Sequence, residues 1–457
     1  MKILLISANT LTTPYPVYPL GMDYVAAAIS TSHDVRVIDM NAFGDTGFPD
    51  DMIDAFSPDI IGLGLRNVDN TDISDSNGYI VRYRELVNRI RKCSNALLVL
   101  GGSGFTIFPN EMMKALDADY GIVGEGERLS LLIAALNRQE HVLDIPGVIV
   151  GSRHRSGTSE PNDPTYAPYK GRFSRRFDGT SSHVDYYLAH GGMLNLQTKR
   201  GCNFQCIYCT YPHIEGRRLR LIPPNDVAET AIQLQNAGAK YLFITDSAFN
   251  VHVSHSIEVA KAFQKAGLTI PWGAFFSPIP LLDDYFQIMA DSGLTHVEFG
   301  TESLSEVVLQ SYGKPFQTAH VLKAHAAARM AGLHVAHYFL LGGPGENRNT
   351  LDQTLSNIDK LTKSVLFFFC GMRIYPHTAL YDIALKERQI VFGQSLLEPI
   401  FYRSLHISSE DIFQEVEKKR CGRSNWIIGS GGEKISIILS RMYARGRFGP
   451  LWEHLIR

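Results

Sequence analysis

Arg200-Gly201-Cys202-Asn203-Phe204-Gln205-Cys206-Ile207-Tyr208-Cys209 gathers three of the chain's six cysteines into one short loop. The spacing, C-x3-C-x2-C, supplies three thiolates and stops. A cubane iron–sulfur cluster has four irons, so three cysteines leave one iron without a protein ligand. A cluster built only to move electrons normally takes a fourth cysteine. An open iron is a place where a small molecule can bind and be reduced. Cys93, Cys370 and Cys421 are scattered, which is a metal-site pattern of a reducing compartment and not a disulfide framework.

The loop directly follows a β-rich run, MLNLQTK (193–199). Five more such runs come after it: KYLFITD (240–246), PWGAFF (271–276), THVEFG (295–300), HVAHYFLLG (334–342) and SVLFFFCGMRIY (364–375), with helical stretches between. Six units of this kind predict a partial (β/α)6 barrel over about 191–380. Chemistry in barrels gathers at the C-terminal ends of the strands, which is where the cysteines stand.

Upstream, residues 1–145 form a separate α/β series. Strands are expected at 2–8, 34–40, 59–65, 96–102 and 118–126, with helices near 21–31, 49–56, 77–93, 109–116 and 127–137. Apolar strands alternating with helices predict a doubly wound, Rossmann- or flavodoxin-like parallel sheet covered on both faces. Polar and Gly-rich residues gather after the strands, at Asn9-Thr10, Arg66-Asn67, Gly101-Gly102-Ser103-Gly104 and Gly124-Glu125-Gly126-Glu127. Ligands of such sheets bind beyond the carboxyl ends of the strands, where glycine allows close approach. Residues 146–190 have no clear period but hold Tyr166, Tyr169, Phe173, Phe177, Tyr186 and Tyr187, so they read as a linker that packs on something. Residues 381–457 read as mostly helical.

The 457 residues carry a formal net charge of −2, so there is no basic excess to imply nucleic acid as a partner. No run approaches the ~18–20 apolar residues of a membrane span. The opening MKILLISANT reads as a first strand and not a signal peptide, and a cytoplasmic location is expected.

The cysteine loop after the first strand of a β/α barrel resembles the radical S-adenosylmethionine (SAM) enzymes. The Tyr18-Pro19-Leu20-Gly21, Gly101-Gly102-Ser103-Gly104-Phe105 and Gly124-Glu125-Gly126-Glu127 segments resemble the cobalamin-binding subclass of that family. The resemblance implies a [4Fe-4S] cluster on Cys202, Cys206 and Cys209, with SAM on the open iron and cobalamin on the N-terminal sheet. For SAM it implies Tyr208, Asp246 with Ser247 (where the family usually has Gly-Gly-Glu), Gly300-Thr301-Glu302, Gly342-Gly343 and Arg373. For cobalamin it implies Leu20, Gly21, Arg66, Asn67, Gly101, Gly102, Ser103, Gly104, Phe105, Gly124, Glu125 and Gly126. Asn250 and Tyr375 are candidates to face substrate. The Asp-x-His-x-x-Gly string that places a histidine under cobalt is missing, so cobalamin is expected without a His ligand, Arg66 or Asn67 lying near its lower face.

This pattern implies a methyltransferase that acts on an unactivated carbon, or phosphorus, of a small, natural-product-like molecule through methylcobalamin and a 5′-deoxyadenosyl radical. It further implies an external flavodoxin- or ferredoxin-like one-electron donor. Three other readings compete. The first is cyclisation, ring contraction or carbon–carbon coupling without methyl transfer. The second is a non-enzymatic cobalamin carrier, which leaves the cysteines without a purpose. The third is a Cys3His zinc site completed by His213. A methylthiotransferase needs a second cysteine cluster near the N-terminus, where only Cys93 stands.

Overall fold

The computed structural model describes all residues except 13–14, 45–46, 74–77, 155–168, 170, 172, 430–431 and 457, together with the side chains of 432–436. Tyr166 of the expected linker lies outside the described residues.

Five short apolar runs make the parallel part of the first sheet: β1 (Lys2–Ser7), β2 (Asp34–Asp39), β3 (Ile60–Gly64), β4 (Leu97–Gly101) and β5 (Tyr120–Ile122). The order is β2-β1-β3-β4-β5, closed by β6 (Val148–Val150), which pairs antiparallel with β5. The first sheet therefore runs into the stretch read as a linker. Three residues are too few to show a period, which hid this strand. Side chains alternate across the sheet, so Leu4, Ile6, Leu98 and Leu100 pack on one side and Ile3, Leu5, Ile60 and Val99 on the other. Both faces are thereby buried, as the near-continuous apolar runs require. The strand order reverses beside β1, between β2 and β3, and a switch point opens there.

The second sheet contains β7 (Met193–Leu196), β10 (Tyr241–Ile244), β11 (Trp272–Phe276), β12 (Leu294–Glu302), β13 (His334–Leu341), β14 (Val365–Cys370) and β17 (Trp426–Ile428); a two-stranded pair, β8 (Lys199–Arg200) and β9 (Arg220–Leu221), leaves the end of β7, and β15 (Met372–Arg373) pairs with β16 (Phe401–Tyr402). All seven barrel strands run parallel, in the order β17-β14-β13-β12-β11-β10-β7. The six-stranded expectation is thus one strand short. The seventh comes from the C-terminal region, which also holds the helices Ser409–Arg420 and Gly432–Ala444. On β11, Trp272, Ala274 and Phe276 pack outward on the helices, against Phe263, Tyr285 and Phe286. Phe275 points the other way, to Phe243 and Tyr338 inside the barrel.

Glu298 of β12 is 0% exposed inside that barrel, where it accepts from Tyr338 Oη at 2.8 Å and from Trp452 Nε1 at 3.0 Å. The second bond pins the C-terminal segment to the barrel. Burial raises its pKa from 4.5 to about 7, with the two hydrogen bonds opposing. The folded state therefore holds this proton more tightly than the unfolded chain does. The sign of the linkage makes the contribution full below pH 4.5 and lost as pH rises through about 7. Glu298→Gln will flatten that part of the stability–pH curve, which denaturant midpoints on either side of the window will show.

Candidate cluster and corrin sites

Both candidate sites stand at the carboxyl ends of their strands and face each other across one cavity. The cysteine loop is built by backbone. Cys202 N donates to Gly216 O at 3.1 Å, Cys209 N to Cys206 O at 3.2 Å, Ile207 N to Tyr312 O at 3.1 Å, and Leu380 N to Ile207 O at 2.9 Å. Gly201 has φ +91, and the Arg218 carbonyl passes where a Cβ would sit, so the residue before the first cysteine has to be glycine. Cys202, Cys206 and Cys209 take part in no disulfide. Burial pushes the Cys209 thiol up to about 12 and raises Cys206 as well.

Among the described residues no three His, Cys, Asp or Glu side chains converge as ligands of a single metal ion. His213, the fourth ligand of the zinc reading, stacks instead on His377 with ring centroids 4.4 Å apart and contacts Thr106 O at 3.3 Å. The three-thiol loop fits a cluster with an open iron.

Around this loop the expected SAM residues divide. Tyr208 Oη donates to Glu302 Oε1 at 2.7 Å, and Glu302, at φ +62, ends β12 beside the loop. Gly300 lies next to this carboxylate, and Ser247 Oγ donates to Gly201 O at 3.3 Å. Gly343 N donates to Tyr312 Oη at 3.0 Å, and a Cβ on Gly343 would meet that oxygen at 2.5 Å, so the Gly342-Gly343 turn is moulded to Tyr312. Three others are spent elsewhere. Asp246 is closed inside the barrel, accepting from Thr198 N at 2.9 Å, Thr198 Oγ1 at 2.5 Å and Lys199 Nζ at 2.9 Å. Thr301 Oγ1 is 2.7 Å from His337 Nδ1 and fully buried. Arg373 Nε donates to Asp69 Oδ2 at 2.7 Å, and its other nitrogens go to the carbonyls of Ile374, Leu396 and Ile400. Arg373 therefore ties β15 to the loop after β3, and the expectation that it faces SAM is corrected to the ion pair.

A cavity of about 530 Å³ lies between the sheets, lined by Leu20, Gly21, Arg66, Asn67, Gly101, Gly102, Ser103, Gly124, Glu125 and Gly126 of the first and by Thr210, Tyr211 and Tyr375 of the second. Gly102 has φ +97, and a Cβ there would stand 2.7 Å from Leu65 O. The β4 turn thus lies flat under the cavity floor. Gly104 and Phe105, expected here, do not line it. Gly104 abuts Leu65 O, and Phe105 is buried beneath the sheet against Gly121.

Arg66 extends into the cavity, exposed to it, while the surroundings desolvate the guanidinium and lower its pKa. No histidine is among the described residues lining the space. A glycine floor, an apolar rim and one extended cation suit a large amide-bearing macrocycle.

Glu125 does more than line the cavity. It accepts from Arg200 Nη1 at 3.3 Å and from Arg220, while Arg200 Nη2 reaches Glu127 Oε1 at 2.7 Å. Arg200 also lies over the rings of Tyr24 and Phe173, 4.6 and 4.2 Å from their centroids. Two residues before Cys202, the cluster loop is clamped to the first sheet, and the expected linker supplies one face of the clamp. Asn250, expected at substrate, is 0% exposed and exchanges two hydrogen bonds with the Ser277 backbone, at 2.7 and 2.9 Å. It ties two barrel loops together and does not line the cavity. Lys314 was not anticipated, because a lone lysine in a turn carries no sequence signal.

Residues 6–133 match the B12 binding domain and residues 196–358 the radical SAM superfamily. The chain is a radical SAM protein with an N-terminal B12 binding domain. It is similar to an uncharacterized methyltransferase of Pyrococcus horikoshii, 27% identical over 88% of this chain and 86% of the relative. It is also similar to tryptophan 2-C-methyltransferase of Streptomyces laurentii, 22% identical over 80% and 72%. The fold of the radical SAM methyltransferase TsrM from Kitasatospora setae, solved with cobalamin and a [4Fe-4S] cluster bound, superposes with a TM-score of 0.83 at 19% identity, over 99% of this chain and 97% of that one. Among the described residues no helix is long and apolar enough to cross a membrane.

Proposed function

We propose that this radical SAM protein is a cobalamin-dependent methyltransferase acting on a small molecule. One observation carries the reading: Thr210 and Tyr211, which directly follow Cys209, line the same cavity as the Gly102, Gly124 and Arg66 edge of the B12 binding domain. A cluster on the cysteines and a corrin on the sheet would then share one chamber. When bound, the corrin accepts and passes on a methyl group from SAM, and the cluster supplies the electron that cleaves a second SAM. The chain's own residues hold and shield these groups.

Cys202, Cys206 and Cys209 are assigned to the cluster. Tyr208, Ser247, Gly300, Glu302 and the Gly342-Gly343 turn are assigned to SAM. Leu20, Gly21, Arg66, Asn67, Gly101, Gly102, Ser103, Gly124 and Gly126, which line the cavity, would hold the corrin. Guanidinium stays protonated, so Arg66 would serve the bound corrin as a cation and not as a metal ligand. Tyr375 remains the candidate to face substrate. A reducing, cytoplasmic setting and a flavodoxin- or ferredoxin-like donor complete the reading.

The test is product stoichiometry with anaerobically reconstituted protein, cobalamin, reductant and candidate substrates. Each methylated product, heavier by 14 mass units, should come with one S-adenosylhomocysteine and one 5′-deoxyadenosine. 5′-Deoxyadenosine with an unmethylated, rearranged product would move the assignment to a coupling or cyclising enzyme. A narrower check concerns Gly21, where an added Cβ meets nothing within 4 Å. Gly21→Phe should leave the fold intact, put a ring at the cavity wall, and weaken corrin binding at least ~10-fold, the change that 1.4 kcal/mol brings. Titration followed by visible absorbance reads this directly.

A further inference from the structure

Lys314 is a buried cation to which nothing above gives a task. It stands in the turn Tyr312-Gly313-Lys314, after the helix Glu306–Ser311. That turn is docked on the cysteine loop. Ile207 N donates to Tyr312 O at 3.1 Å, and a Cβ on Gly313, at φ +67, would stand 2.6 Å from Gln205 O. The lysine side chain is only 7% exposed. Its Nζ donates to Tyr208 Oη at 3.1 Å and to Glu302 Oε1 at 3.2 Å. Tyr208, the ring that Nζ reaches, stands between Cys206 and Cys209 in the sequence of the loop. The rings of Tyr208 and Phe316 flank it, with centroids 5.5 and 5.4 Å away.

An ammonium taken out of water needs compensation, and Glu302 supplies part of it. An ion pair alone could have been made anywhere along the end of β12. Here the ammonium is held on the tyrosine of the loop that the proposed cluster needs. Cluster potentials respond to net charge, to hydrogen bonds on the sulfurs and to solvent exposure, and Lys314 brings a buried positive charge to the cysteine loop. One electron added to a cluster adds one negative charge and neither forms nor breaks a bond. A fixed positive charge close by in a low-dielectric site favours that reduced state.

We propose that Lys314 is a positioning residue that raises the reduction potential of the iron–sulfur cluster, through its ammonium held against the cysteine loop by Tyr208 and Glu302. The proposal rests on the cluster reading given above. The Glu302 carboxylate opposes the effect.

The experiment is a redox titration of the anaerobically reconstituted full chain, followed by electron spin resonance, without SAM. Lys314→Met should move the potential negative by at least a tenfold change in the reduction equilibrium, about 59 mV for a one-electron couple. Lys314→Arg should keep most of the wild-type value, and Glu302→Gln should move it the other way. A Lys314→Met protein with wild-type iron content and an unchanged potential overturns the proposal and leaves Lys314 as a structural partner of Glu302. Should Lys314→Met fail to hold iron, Glu302→Gln decides, because an unchanged or more negative potential there overturns it equally. Wild-type protein that gives no cluster signal on reduction overturns the cluster reading and this inference together, a result distinct from a potential that ignores Lys314.

Discussion

Changing Cys202, Cys206 and Cys209 together to alanine will give a folded, corrin-binding protein that binds no iron and forms no methylated product. The fold should survive because the loop is held by backbone, through Cys202 N to Gly216 O, Ile207 N to Tyr312 O and Leu380 N to Ile207 O. It is held also by Arg200, clamped to Glu127 on the first sheet. None of these contacts needs a thiol. Corrin binding should survive because Gly21, Arg66, Gly102 and Gly124, which line the cavity, lie on the first sheet's side. Product formation should fall to background, since the cofactor and not a side chain carries the difficult step. Iron content, corrin absorbance and product mass, measured on one preparation, separate the three effects. A triple variant with undiminished function would make the protein a cobalamin carrier and remove the enzyme reading.

The same loop shows how far the sequence carries. Cysteine spacing is a local property, and so is the alternation of apolar strands with helices, so both the cluster site and the two α/β units are readable along the chain. The cobalamin-side glycines are readable for a related reason: a turn that needs φ +97, as at Gly102, tolerates few other residues. What escapes is the partner brought from a distance. Asp246 stands in the right place after β10, yet Lys199, the residue facing it, closes the carboxylate off. Glu125 lies in a Gly-rich ligand-type turn, yet Arg200 and Arg220 reach it from the other sheet. β17 is only Trp426–Ile428, too short for any period, and it joins the barrel only because β14 offers an open edge. Burial and charge pairing across domains decide these roles, and neither leaves a mark on the residues' neighbours in sequence.

Arg373→Met will loosen the seam between the two sheets by about 3–5 kcal/mol, the usual result of stranding one member of a buried ion pair. Asp69 and Arg373 side chains are 0% and 3% exposed, at 2.7 Å. Among the described residues the carboxylate keeps the Thr71 N–H at 2.9 Å and the long contact from Tyr375 Oη at 3.5 Å when the guanidinium is gone. Replacing both partners, Asp69→Asn with Arg373→Met, leaves no stranded charge and should cost much less. A double-mutant cycle on denaturant midpoints tests the difference. Unfolding of a multidomain chain need not be two-state, so the midpoint should be taken for the transition that also releases corrin. The functional consequence follows from position. Asn67, Val68 and Asp69 line the cavity from the first sheet and Tyr375 from the second. A loosened Asp69 loop moves the wall next to Arg66, so Arg373→Met should weaken corrin binding while leaving the iron content of the cysteine loop near wild type. If instead iron is lost and corrin binding holds, the ion pair supports the cluster side of the chamber and the assignment of this seam is wrong.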